Sequence, residues 1–378
     1  MKATKTIGFN GSMLDEKPTG VGVYTYNIIN NLQRLYQSDP TRSLEVFTPS
    51  RSFLNKSVAI IKLPNILQSS RFGKTAALTR FLWNLILYPV VAKRMSLLVS
   101  PTTHGSLALS NQLITIHDLL SLRYDNISKH QRFYFTYVLP RLVKKTKKII
   151  AISESTKKDV VHFLNCPPEH VKVIYNGYDK EQFYQSNVSG TDIYSKYKLQ
   201  KYILAIGPTY PHKNFATLLH AYAKLPVAER EMYPLVIAGG MKKYLRSLEA
   251  IVNALALQKH VHFLGYVPQE LMRSLYTEAL MLVFPSLYEG FGFPLLEAMA
   301  CGCPVASSQT SSMPEVCGNA AIYFDPLSAD SILSSMRSII VSAEVRNNLI
   351  TKGLERAKLF SWEKAATEYK TLIDEYLN

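Results

Sequence analysis

Short apolar runs alternate with stretches of helical periodicity along all 378 residues, and the series starts twice. The first set of runs falls at 6–10, 44–47, 97–100, 113–116, 148–152 and 171–173. The second falls at 202–206, 235–238, 261–263, 281–284, 304–307 and 321–324. Runs this short, separated by enough chain for a crossover helix, read as parallel strands buried on both faces. The pattern therefore predicts an α/β chain of two Rossmann-like, doubly wound domains. Length agrees, since one core seldom grows past about 250–300 residues. The joint is expected in the polar, aperiodic stretch "DKEQFYQSNVSG" at 179–190, giving an N-terminal domain over 1–186 and a C-terminal domain over 187–361. Open parallel sheets bind ligands beyond the carboxyl ends of their strands. Two such domains are expected to face each other across a cleft, so the chemistry should lie in the loops that follow the strands.

Charge separates the two halves. The chain carries 43 Lys+Arg and 28 Asp+Glu, a net +15. Residues 1–186 hold 25 of the basic and 11 of the acidic residues, leaving only +1 for the remainder. A field concentrated on one domain favours an anionic partner such as acidic lipid, a phosphorylated acceptor or nucleic acid. Within it, "RFGKTAALTRFLWNLILYPVVAKR" (71–94) is apolar from Phe81 to Ala92 and basic at both ends. That run is short of the ~20 residues needed to span a bilayer. It suits either a helix lying in the membrane interface or a core helix. Four cysteines, Cys166, Cys301, Cys303 and Cys317, form no CxxC pair, which argues against a disulfide framework or a metal site. The start "MKATKTIGFNGS" lacks the apolar stretch of an export signal, so a cytoplasmic location is expected.

Four loops hold candidate site residues. Gly20 and Gly22 precede the first amphipathic helix, where backbone can approach a phosphate closely, although the GxGxxG spacing is absent. "ITIHDL" places His117 and Asp118 just past a strand. "ILAIGPTYPHKN" places Lys213 in the first loop of the second domain as a point charge for a diphosphate, with Asn214 as a helix N-cap. The most specific stretch is "EGFGFPLLEAMACGCPV" at 289–305. Glu289 follows a strand. Gly290 and Gly292 free the backbone, Pro294 suits a first helical turn, and Glu297 projects near the helix start. Amides of Phe291, Gly292, Phe293 and Leu295 at that helix start suit phosphate, and carboxylates on either side can accept from sugar hydroxyls. Read without function, Glu297 stabilises a helix dipole and Glu289 is a turn residue; their placement around "GFGFP" favours a site.

The same stretch resembles a retaining glycosyltransferase of family 4, which has the GT-B fold. Glu289 and Glu297, with seven residues between them, match the family's glutamate pair. "GVGVYTYNI", "TIHDL", "AISESTKKDV", "VIYNGYD", "IGPTYPHKN", "FLGYV", "SMPEV" and "FSWEKAATEY" follow in the family's order over nearly the whole chain. The resemblance implies a nucleotide-diphosphate-sugar donor, GDP- or UDP-linked, held by the C-terminal domain, with acceptor binding on the N-terminal one. It implies that Glu297 takes the ribose hydroxyls, that Lys213 and the amides of 291–295 hold the diphosphate, and that Gly22 closes on it. His117 and Glu289 would lie at the transferred sugar as the catalytic candidates. No metal and no further cofactor is implied, and a final helix at about 362–378 would return to the N-terminal domain. One departure stands out: His212 precedes Lys213 where the family often has arginine, and no second arginine occurs upstream at Pro208 or Thr209.

The expected function is transfer of a hexose, with faint hints of mannose, to a growing cell-surface glycan or lipid-linked oligosaccharide. The expected place is the cytoplasm or, through peripheral contact with anionic membrane, the inner membrane's cytoplasmic face. A sugar-nucleotide epimerase of the same fold is the alternative. A phosphorylase would ask for a longer chain. A basic nucleic-acid-binding protein would leave the carboxylate pair without purpose.

Overall fold

The structure is a computed structural model that describes residues 4–124, 127–185, 193, 196–208, 210–240 and 244–378, with Lys74 described by its backbone. It forms two compact units, the first made of Met1–Gly177 with Trp362–Asn378 and the second of Tyr178–Ser361. The 186/187 boundary expected from sequence lies outside the described residues.

In the first unit seven parallel strands make one sheet: β1 (Lys5–Asn10), β2 (Arg42–Thr48), β3 (Ala59–Lys62), β4 (Leu97–Ser100), β5 (Gln112–Ile116), β6 (Lys148–Ala151) and β7 (Val171–Val173). Their order is β3-β2-β1-β4-β5-β6-β7. Register sets Ile7 beside Leu44 on one side and Leu97 on the other, so β1 is central and its apolar side chains are buried on both faces. Strand β3, "AIIK", was not expected from sequence. It is a four-residue edge strand whose end residues are exposed, so it lacks the buried run that marks its neighbours.

Helix α1 (Gly20–Tyr36) follows β1 and buries Tyr24, Ile28, Ile29 and Leu32 on one face. Helix α2 (Ser69–Leu82) bends at Gly73, whose φ is +51°, and runs through a π turn at Trp83–Leu87 into α3 (Tyr88–Ala92). This is the segment that sequence left open between a core helix and an interfacial one: one face packs into the core and the other is apolar and exposed. Trp83, Tyr88 and Ala92 pack into a cluster with Phe47, Leu67 and Leu98. On the opposite side Leu78, Leu82, Ile86 and Val90, four residues apart, stand in solvent at 61%, 43%, 57% and 72% exposure. Its 18 residues from Thr75 to Ala92 have mean hydropathy 1.3, with 33% buried.

In the second unit β8 (Tyr202–Ile206), β9 (Leu235–Ala238), β10 (Val261–Gly265), β11 (Ala279–Phe284), β12 (Val305–Ser308) and β13 (Ala321–Phe324) lie in the order β10-β9-β8-β11-β12-β13, again all parallel. Helices α4 (Phe215–Ala223), α5 (Gln269–Glu278) and α6 (Phe293–Ala300) follow β8, β10 and β11. The core gathers Ile203, Phe215, Leu218, Ile237, Met281 and Val283. The direction of winding reverses between β8 and β11, and adjacent crossovers that run opposite ways leave a crevice at the carboxyl ends of that strand pair. After the second unit the chain returns to the first as α7 (Trp362–Leu377), burying Trp362, Ala366, Tyr369 and Ile373.

Candidate active site

The loops leaving β8 and β11 meet at the switch point of the second sheet. Beyond β8 the chain makes one 3-10 turn, Pro211–Lys213, and Asn214 enters α4 with φ +62°. The Asn214 side chain does not cap that helix, as sequence suggested it would. Buried at the loop base, its amide donates to Pro285 O at 3.1 Å and Pro326 O at 2.7 Å. The loop after β8 is thereby tied to the end of β11, and Lys213 is carried to a fixed place. Its Nζ lies 2.6 and 2.9 Å from the two Glu289 oxygens. Both side chains are partly shielded, at 21% and 13% exposure, so the pair is stronger than one in open water.

The turn from Glu289 to α6 owes its shape to glycine and proline. Gly292 has φ +112°, a region that L side chains avoid, and a Cβ there would sit 3.0 Å from Leu295 Cδ1. Pro294 occupies the first turn of α6, and no side chain caps this end. Of the stretch assigned to diphosphate binding, Pro294 has no N–H, and Leu295 N already donates to Gly292 O at 3.0 Å. The other N–H groups of that stretch belong to Phe291, Gly292 and Phe293. Two serines missed in the sequence hold that turn from behind. Ser311 Oγ donates to Glu289 O at 2.7 Å, and Ser312 Oγ donates to Glu289 O at 3.0 Å and Phe291 O at 2.7 Å.

Glu297 sits one turn into α6, partly exposed among neighbours that are fully buried. Tyr276 of α5 donates its hydroxyl to Glu297 Oε2 at 2.7 Å. Burial pushes the carboxyl up to about 7, against the pull of the Tyr276 bond. The other oxygen, Oε1, has no hydrogen-bond partner among the described residues and is left to accept from a ligand hydroxyl. His212 is buried, stacked on Tyr210 with ring centroids 5.8 Å apart, and its own burial lowers it to about 4. It is neutral at pH 7, which leaves Lys213 as the cation of this loop. Thr209 lies outside the described residues.

On the first unit His117 stands at the carboxyl end of β5. Its Nε2 is 2.9 Å from Pro101 O. A carbonyl only accepts, so Nε2 carries the proton and Nδ1 is a bare acceptor. Burial lowers this histidine to about 4, so it is neutral at physiological pH. Tyr24 of α1 meets its ring edge-on at 4.7 Å. Tyr24 is held in turn by Tyr369 of α7, hydroxyl to hydroxyl at 2.6 Å, and Thr115 shares the same knot. Asp118 accepts from Leu120 N at 3.0 Å and shapes the turn after β5. Gly20 and Gly22 lie inside the first turn of α1, not before it as the sequence reading had them. At Gly20 a Cβ would meet nothing within 4 Å, whereas at Gly22 it would press on Pro18 Cβ at 3.0 Å. Among the described residues no three His, Cys, Asp or Glu side chains converge as a metal cage would require. All four thiols are free and buried.

Residues 191–356 match the family described as Glycosyl transferases group 1, and residues 18–182 match Glycosyltransferase Family 4. The O-antigen chain mannosyltransferase RfbU of Salmonella typhimurium is 31% identical over 335 residues, covering 87% of this chain and 90% of its own. The O-antigen chain mannosyltransferase B of Escherichia coli is 32% identical over 263 residues, 69% of each chain. Sucrose-phosphate synthase from Thermosynechococcus elongatus superposes with a TM-score of 0.76 over 99% of both chains at 18% identity, which speaks to fold.

Proposed function

The chain belongs to glycosyltransferase family 4 and has the GT-B fold, and from that membership we propose that it is a retaining mannosyltransferase. It is a hexosyltransferase that uses a nucleotide-diphosphate sugar. GDP-mannose is the proposed donor, supported by the two relatives named as mannosyltransferases. The proposed acceptor is a growing cell-surface glycan, bound by the first unit.

The observation that carries the reading is the meeting of Lys213 and Glu289 over the start of α6, on loops that leave the two strands of the switch point. In this proposal the diphosphate lies on the turn Gly290–Phe293, where the helix dipole is positive, and takes Lys213 as its counter-ion. Lys213 then exchanges one carboxylate partner for the phosphate, and Glu289 turns its oxygens to the sugar hydroxyls. Glu297 Oε1 accepts from the ribose. On the first unit, taken by itself, neutral His117 keeps Nδ1 to accept from a hydroxyl of the acceptor glycan, and Gly20 and Gly22 present amides of the first turn of α1.

The chemistry forms a bond from an acceptor oxygen to the anomeric carbon and breaks the bond from that carbon to the diphosphate. The acceptor proton leaves with the nucleoside diphosphate. Negative charge grows on the departing phosphate, and in this proposal Lys213 and the positive end of the α6 dipole stabilise it there. No metal is needed for that task.

The test is a thermal-shift and turnover screen across GDP-, UDP-, dTDP- and ADP-sugars, because a ligand of the native state raises its melting point. GDP-mannose is expected to give the largest shift and an α-linked product from an α-linked donor. A larger shift with a UDP-sugar would overturn the mannose assignment, and an inverted product the retaining one.

Membrane contact at the cytoplasmic face is the remaining part of the proposal. The stripe Leu78–Leu82–Ile86–Val90 supports it, together with a sequence in which no acidic residue occurs between Glu45 and Asp118.

A further inference from the structure

The first unit holds a cation that the donor chemistry does not use. Arg80 lies on the inner face of α2 and is 8% exposed. Its Nη1 donates to Leu67 O at 2.6 Å, and among the described residues it forms no ion pair. The carboxylate that acts on it from a distance, Asp15, already accepts from the amide and the hydroxyl of Ser70 and from Glu16 N. Among the described residues its other N–H groups have no protein partner, and they are open to solvent although the residue as a whole is mostly buried. A cation held on the inner side of a helix, with no carboxylate on it and several donors open, has hydrogen bonds to offer an anion.

The walls around Arg80 are firm. Asn10, at the end of β1, donates to Asn84 Oδ1 at 2.6 Å, and Asn84 donates to Arg80 O at 2.7 Å. These two bonds fix the π turn against the carboxyl end of the central strand. His104 follows β4, keeps Nδ1 3.3 Å from Thr102 Oγ1, and stacks on Tyr134 at 5.4 Å. Burial, and next the charge of Arg80, lower it to about 4, so it adds no competing positive charge at neutral pH.

We propose that Arg80, with His104 beside it, receives a phosphate or diphosphate oxyanion carried by the acceptor. The inference rests on the reading that the first unit takes the acceptor. It adds that the acceptor is anionic and that a guanidinium fork reads it, a geometry that suits two phosphate oxygens at once. The outer face of the same helix bears the apolar stripe, so an acceptor with a lipid tail would bring its phosphate along this element.

The full chain, saturated with GDP to occupy the donor site, is titrated with inorganic pyrophosphate while melting is followed. The wild type should show a second, saturable rise in Tm. Arg80→Met should lose it, Arg80→Lys should need about tenfold more pyrophosphate because the fork is gone, and Lys213→Met should keep it. The lysine variant preserves the test should the methionine variant fail to fold. In turnover, Arg80→Lys should raise the acceptor KM and leave the donor KM unchanged. No second rise in the wild type, or an equal rise in both Arg80 variants, overturns the proposal. A raised donor KM would move the anion to the donor. Loss of sedimentation with phosphatidylglycerol vesicles in Arg80→Lys would make the ligand a lipid headgroup, which also overturns it. If GDP itself gives no shift, the donor reading fails instead.

Discussion

Glu297 shows what the site costs the fold. Its carboxyl is raised to about 7 because burial disfavours the charged form, and in the unfolded chain it titrates near 4.5. The folded protein therefore holds this proton more tightly than the unfolded one. Stability from this group is complete below about pH 4.5 and is lost as pH rises towards 7, by up to about 3 kcal/mol. Glu297→Gln keeps the Tyr276 bond and removes the charge. It is expected to melt higher than the wild type at pH 8, to match it near pH 4.5, and to lose at least about 100-fold in kcat/KM. A variant that melts lower at pH 8 would contradict the assignment. The two glutamates were legible because glycine, proline and aromatics frame them. Tyr276 was not, since a tyrosine in the middle of an amphipathic helix looks like any core residue, and Ser311 and Ser312 look like ordinary polar loop residues at and just before the start of "SMPEV".

Among elements, α7 reaches the candidate chemistry through a chain of contacts. Tyr369 holds Tyr24, and Tyr24 lies edge-on to His117. Tyr369→Phe leaves a buried hydroxyl on Tyr24 with only the 3.4 Å contact to Thr115. The expected loss is about 1–2 kcal/mol of stability and about tenfold in kcat, with the donor KM nearly constant, since the proposal puts the donor's diphosphate on the second unit. An unchanged kcat in the stable variant would confine Tyr369 to packing. Strands were readable wherever they are buried on both faces, and β3 escaped because its ends face water. The π turn at Trp83–Leu87 has no sequence mark: local periodicity slips by a residue there, and only the packing of Trp83 and Tyr88 beneath reveals it.

For the whole molecule, the charge imbalance and the apolar stripe lie on the same unit. Each basic residue near an anionic bilayer contributes about 1 kcal/mol at low salt, and inserted leucines add an apolar part that salt does not screen. The wild type is expected to sediment with phosphatidylglycerol vesicles at low salt and partly to release at high salt. Leu82→Glu with Ile86→Glu should stay in the supernatant while retaining GDP-dependent thermal stabilisation. Equal recovery of the wild type in the supernatant with and without vesicles would remove the membrane from the account. The sequence carried the charge imbalance plainly, whereas which face of 71–94 meets water is decided by its packing on Phe47 of β2 and Leu98 of β4, which only the folded sheet brings beneath it.

The return of α7 has a consequence for how such a chain is made. The first unit is assembled from both flanks of the polypeptide, so its last helix emerges from the ribosome only after all of 178–361 has been translated. Until then the groove that receives Trp362, Tyr369 and Ile373 stands open. The domain begun first is finished last, and a nascent chain stalled before residue 362 would carry a complete second unit beside an unclosed first one.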